Sequence, residues 1–326
     1  MNDDHVYLSL AEGHPEGDGQ WAFGTGFEDP LHGADTTVPD GVDGAELARC
    51  CLALADDALI AAQRLAQWCT RAPELEEEVA LANIGLDLLG QARLLYARAG
   101  QADGTGRGED AYAYFRDASE FRNVRLAELP NGDFAFSIAR LLVFAAWRLA
   151  LFERLTEAAD PMLAAIAAKG VKELAYHRLY AAEWVVRLGD GTAESHRRMR
   201  DGLAEVAPHL GELLAVRADF GVDPGSVRDE VIAVLGQVVD AAGLELPKPE
   251  PEPEAGPATE SEPGPATESV PGPATEPEPR PATESGPATE PASGTGGGRD
   301  GHHTEHLAAL LAELQCVARA DPAATW

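Results

Sequence analysis

Leu81-Ala-Asn-Ile-Gly-Leu-Asp-Leu-Leu-Gly-Gln-Ala-Arg93 is the stretch on which the fold turns. Leu81, Ile84, Leu88 and Leu95 recur at the three-and-four spacing of a buried helical seam, and Ala82, Leu86 and Leu89 extend that seam on its other side. Asn83, Asp87 and Gln91 stand between them at i, i+4 and i+8. A carboxylate or amide left unpaired in a core costs about 1–3 kcal/mol, so these three need partners inside a bundle. The helix is expected either to line a polar site or to carry a self-satisfied network.

Outward from this stretch the chain reads as helical. A helix over Glu46–Thr70 precedes it, broken at Pro73, and Glu74-Leu-Glu-Glu-Glu78 suits the positive end of the organising helix, which Gly100 closes. A long polar and aromatic connection leads to Pro130-Asn-Gly132, as in bundles whose topology is set by a crossover. Asp133 to Ala158 is apolar nearly all round, the mark of a central or interface helix. Asp160-Pro161 opens a further helix to Leu188, Thr192 begins one that bends near Pro208, and Ser226-x-x-Asp229 resembles a capping box for one ending near Gly243. Thr304 is read as the cap of a last amphipathic helix carrying Leu307, Leu310, Leu311, Leu314 and Val317.

The domain organisation expected is an acidic, extended arm over residues 1–45, a helical bundle over 46–246, a disordered insert over 247–300 and a docking helix over 301–326. The arm is dense in Gly and Pro, although Trp21, Phe23 and Phe27 could pack on the bundle. In the insert, Gly-Pro-Ala-Thr-Glu recurs at Gly256, Gly264, Gly272 and Gly286, with Arg280 replacing the glycine once, and such a composition cannot bury enough apolar area to offset ordering.

Of the formal net charge of −30, roughly twenty come from Met1–Glu46 and Glu250–Glu290. With no basic stripe, nucleic acid is not an expected partner. No apolar run spans a membrane, because Arg140 and Arg148 interrupt the best one. Cys50, Cys51, Cys69 and Cys316 include no CxxC pair and are read as reduced, buried thiols of a cytoplasmic protein.

Carboxylates facing a helical core raise the question of a di-metal centre, which draws a Glu from each of two helices and a Glu-x-x-His pair from two others. The chain contains no Glu-x-x-His. Glu173 and His177 are spaced by four and can bond to each other, and Glu205 and His209 adjoin Pro208. Asp56 and Asp57 can face inward, Gln91 stands where an imidazole would be wanted, and the apolar helix offers no carboxylate before Glu153. The Gly301-His-His-Thr-Glu-His306 tract fits no single tetrahedral template. No catalytic, cofactor or metal residues are therefore expected. Asp56, Asn83, Asp87, Gln91, Glu173 and His177 are expected to form a degenerate polar core with a structural role.

Leu65-Ala-Gln-Trp68, Ala72-Pro-Glu-Leu-Glu76, the run Ala80–Arg93, Pro130-Asn-Gly-Asp-Phe134, Lys172-Glu-Leu-Ala-Tyr-His177, Arg187-Leu-Gly-Asp-Gly-Thr192, His303-Thr-Glu-His-Leu307 and Leu311-Ala-Glu-Leu-Gln315 together resemble one family, the ferritin-like structural subunit of the multicomponent phenylacetyl-CoA epoxidase of aerobic phenylacetate catabolism. The resemblance covers about residues 46–245 and 300–326. It implies an all-α, ferritin-like helical bundle that pairs with a paralogous catalytic subunit of the epoxidase. In that family the catalytic paralogue carries the di-iron centre and epoxidises the ring of the CoA thioester, with electrons from a separate reductase subunit. The family that this chain resembles looks like a structural partner whose own site has decayed. Two other readings stand beside it: an independent ferritin-like oxidase using Asp56, Asp87, Glu173 and His177 around one metal, and a CoA-thioester binding module without a redox role.

Overall fold

The computed structural model describes residues 36–215, 220–245 and 297–322. Most of the expected arm and insert, with Trp21, Phe23, Phe27 and the Gly-Pro-Ala-Thr-Glu units, lies outside the described residues. Four long helices form the bundle: α1 (Gly44–Ala66), α2 (Leu75–Ala102), α5 (Phe134–Leu155) and α6 (Pro161–Gly189). The connection between α2 and α5 holds two short helices, α3 (Glu109–Tyr114) and α4 (Arg125–Glu128). After α6 come α7 (Ala193–Val206), α8 (Leu210–Leu214), α9 (Pro224–Ala241) and, beyond the insert, α10 (Glu305–Ala320). Among the described residues there is no strand.

Each long helix starts where its sequence supplies an acceptor or a negative charge for free backbone N–H groups. Asp43 accepts from Ala45 N and Glu46 N, Asp133 from Phe136 N, and Asp160 from Leu163 N behind Pro161. Helix α2 has no side-chain cap, and Glu76, Glu77 and Glu78 in its first turn face the helix dipole instead. The cap of α9 is Asp223 ahead of Pro224, accepting from Gly225 N and Ser226 N, and not the expected Ser226. Gly100 does not close α2; it lies within it, where the carbonyl of Arg107 passes too close for any side chain.

Helix α1 packs along α2, α5 along α6, and α2 against α6, while α7 and α9 cover α5 from outside. That cover is why α5 needs no polar face. Nineteen of its 22 residues are buried, including Arg140 and Arg148. By length and composition α5 could cross a membrane, yet 94% of its most apolar window is buried inside the bundle. Gly202 lets α7 lie close against α5, since a Cβ there would sit 2.9 Å from the Cα of Phe136.

The C-terminal segment docks earlier than expected. A 3₁₀ turn, Gly298–Asp300, already sits on the bundle before Thr304 caps α10 by accepting from His306 N. Gly298 N donates to Glu212 Oε1 at 2.6 Å, and a Cβ on Gly298 would meet the carbonyl of Asn123 at 2.1 Å. Gly298→Ala should therefore lift the segment's entry and cost about 1–3 kcal/mol in urea unfolding. Leu307, Leu310 and Leu311 are buried, as expected, but Val317 is exposed. Of the cysteines, Cys50 and Cys51 are buried thiols, whereas Cys69 and Cys316 are exposed.

His209, half-buried beside this junction, has its pKa lowered by burial and by Arg125, against an opposing pull from Glu128. A base with a lowered folded pKa stabilises the fold fully above its unfolded value near 6.5, and that stability is lost as pH falls through the folded value. In urea melts at pH 7.5, 6.5 and 5.5, the wild type should weaken on acidification more steeply than His209→Gln.

Candidate functional site

Asn83 apart, the residues expected in the polar core fall, with their partners, into two buried clusters and one half-exposed pair; the buried Arg98–Asp160 ion pair lies outside all three. Asp56, on α1, is fully buried. Its carboxylate accepts from Tyr96 Oη at 2.6 Å, from Arg122 N at 2.8 Å and from both terminal nitrogens of Arg116. Burial pulls the Arg116 pKa down, and Asp56 more than offsets it, leaving the guanidinium's pKa raised. Burial, with Asp56 alongside, pushes the Tyr96 phenol well above its usual range. The Arg116 guanidinium also lies 4.2 Å from the ring centroid of Phe121.

The second cluster is a chain of contacts crossing the bundle. Asp57 accepts from Val124 N at 2.8 Å and from Arg299 Nη2 at 2.6 Å, and lies 3.9 Å from Arg148 Nη1. Arg148, rising from the middle of α5, donates to the Leu54 carbonyl at 3.1 Å and to Gln91 Oε1 at 2.9 Å. Gln91 Nε2 passes the chain to Glu173 Oε2 at 2.9 Å, and Lys169 Nζ closes it on Glu173 Oε1 at 2.6 Å. Burial lowers the Arg148 pKa to about 10 against the pull of Asp57, so it stays charged at neutral pH. Burial also raises Asp57, opposed by Arg299 and Arg148.

The half-exposed pair is His177 Nε2 and Asp87 Oδ2, 3.0 Å apart at the α2–α6 seam. Several expectations are corrected here. Glu173 and His177 do not bond to each other, because successive turns of α6 aim them at Gln91 and Asp87. Asn83 is exposed on α2 and joins no network. Asp56 stands apart from the other five residues. The apolar helix α5, expected to contribute nothing, supplies the guanidinium at the centre.

The residues missed are mostly cations: Arg116, Arg148 and Arg299. Arg148 had a signal, since an arginine in a helix apolar all round must find buried acceptors. Arg299 had none, because it stands among the glycines that end a low-complexity stretch.

Among the described residues no group of three or more His, Cys, Asp or Glu is placed to hold a metal ion. The donor set does not suit the di-iron group of ferritin-like oxidases. Asp56 and Asp57 are engaged by guanidinium and backbone N–H groups, Gln91 offers an amide, and a fixed positive charge sits between α1 and α2.

The PaaA_PaaC family model, described as "Phenylacetic acid catabolic protein", matches residues 34–259. The chain is also similar to the C subunit of 1,2-phenylacetyl-CoA epoxidase from Escherichia coli (strain K12), at 40% identity over 283 residues, which is 84% of this chain and 97% of that protein. The all-α bundle, the motifs spread along it and these matches agree: the chain belongs to the Phenylacetic acid catabolic protein family, on the branch of the epoxidase C subunits, with a ferritin-like fold.

Proposed function

We propose that this chain is a non-catalytic, structural subunit of a multicomponent epoxidase acting on phenylacetyl-CoA, working in the cytoplasm. It pairs with and supports a paralogous catalytic subunit that carries the di-iron centre and receives electrons from a reductase subunit. The observation that carries this reading is the position of Arg148: a cation projects into the space between helices where an oxidase of this fold needs anionic ligands, and it is bonded to Gln91 and to the α1 backbone. Networks of this kind hold helices in register while offering no open coordination position. The bundle is then a rigid scaffold, and its degenerate polar core, Asp56, Asp87, Gln91, Glu173 and His177, is structural.

The test is anaerobic iron loading followed by elemental analysis and an epoxidation assay, on this chain by itself, on its catalytic paralogue by itself and on the two co-expressed. Iron and turnover should follow the catalytic paralogue, with turnover highest in the co-expressed complex. Stoichiometric iron held by the isolated chain, or epoxidation by it, would overturn the proposal.

A further inference from the structure

The sequence pattern assigns Ala82, Leu86 and Leu89 to the core side of α2, and the structure turns them outward. Leu75, Val79, Leu86 and Leu89 are 71%, 52%, 58% and 38% exposed, and on α6 Tyr176 and Leu179 are 50% and 56% exposed. These are six of the nine large apolar side chains exposed among the described residues. With Ala82 and Arg93, the α2 residues recur at 75, 79, 82, 86, 89 and 93. Alternating steps of four and three are the seam of a helix that packs against another helix. The buried seam of Leu81, Ile84, Leu88 and Leu95 already faces the core, so α2 carries two such seams on roughly opposite sides. Helices α7 and α9 pack chiefly on α5, and α10 on α3 and α4, so among the described helices none packs chiefly on the outer α2–α6 face.

Charge selects the occupant. Glu74, Glu76 and Glu78 rim the N-terminal end of the stripe. A second copy of this chain would bring the same acidic rim on a protein of formal charge −30. The one cation on the stripe, Arg93, is already held in a two-pronged pair by Glu109, with both contacts at 2.8 Å. The chain's own first 35 residues contain acids and no Lys or Arg, so they too would meet the rim with like charge. We propose that the α2–α6 face receives a helix of the catalytic paralogue, seam against seam, with basic residues of that helix opposite Glu74, Glu76 and Glu78. This rests on the pairing reading above and gives it a location. The docked helix covers the open side of Asp87, so the interface adjoins the His177–Asp87 pair.

The test is co-expression of the full chain with its tagged catalytic paralogue, followed by co-purification and measurement of affinity and salt dependence. Val79→Glu with Leu86→Glu changes only exposed positions, so the melting temperature of the isolated chain should stay near the wild type while binding weakens at least about tenfold. Glu76→Lys with Glu78→Lys should weaken binding most at low salt, a readout that does not depend on the first variant folding. Ile232→Glu, exposed on α9, should bind as the wild type does. Wild-type affinity in Val79→Glu/Leu86→Glu would overturn the location. So would a loss of self-association in that variant measured by itself, which would assign the face to a second copy. A wild-type chain that fails to co-purify at all would instead remove the pairing reading itself.

Discussion

Asp56→Ala is expected to cost about 3–5 kcal/mol in denaturant unfolding, the penalty typical of removing one partner from a buried ion pair. The change strips Arg116 of its counter-ion, leaves the Tyr96 hydroxyl without its acceptor at 2.6 Å, and frees Arg122 N. Arg116 cannot turn to water cheaply, because its Nε donates to the Tyr112 carbonyl and its plane packs on Phe121. The loss should also loosen the α2–α5 connection, since Asp56 bonds both the Arg116 side chain and the backbone N–H of Arg122 to α1. Amide exchange in residues 109–128 should therefore speed up more than exchange in α5 or α6. Asp56→Asn, which keeps a hydrogen-bond acceptor but no charge, should fall between the wild type and the alanine variant. An alanine variant within about 1 kcal/mol of wild type would show that the charge of Asp56 does not hold this end together.

The second large effect is expected at Arg299. Its guanidinium donates to the carbonyls of Ala53 and Arg122 at 2.9 and 2.7 Å and to Asp57 at 2.6 Å, joining three segments. Arg299→Ala leaves Asp57 with its bond from Val124 N and, among cations, only the looser contact with Arg148, and a broken buried charge pair again costs about 3–5 kcal/mol. Part of that cost is expected to appear as local release. Residues 297–322 are otherwise held by Glu212 at their entry, by Glu128 on His303 and Thr304 N, and by Gln315 and Arg319 on carbonyls of the α3 region. Limited proteolysis should cut the variant near α10 at protease levels that leave the wild type whole, before the bundle unfolds. Arg299→Lys should rescue only partly, because one ammonium cannot hold three acceptors in the planar fork geometry.

How much of this is legible in the sequence depends on the kind of contact. Helix positions follow from spacing and caps, since Asp133, Asp160 and Thr304 are acceptors placed one residue before an apolar period. The second seam of α2 is visible as a pattern, but the pattern does not say what surrounds it. A three-and-four apolar row looks the same whether the chain or another protein covers it. The polar core is legible only on one side. Asp87 and Gln91 announce themselves by standing among leucines, whereas their partners come from α5 and α6 at separations that no local pattern encodes. Asn83 departs from the row because a step of four residues turns a helix by about 40° more than a full circle, enough over two steps to carry one member out to solvent.

The pair Asp57–Arg299 spans 242 positions of the chain. At ribosomal speeds of about 5–20 residues per second, Asp57 and Arg148 wait several seconds or more for their second guanidinium. Until then α5 must be sheltered by α6, α7 and α9 as each emerges, and a nascent chain stalled before residue 299 presents a nearly finished bundle in which Asp57 lacks the closer of its two counter-ions. Completion of the native state thus waits on the contacts of the last segment to emerge, which makes the interval before them the window in which chaperone capture or misassembly competes with maturation.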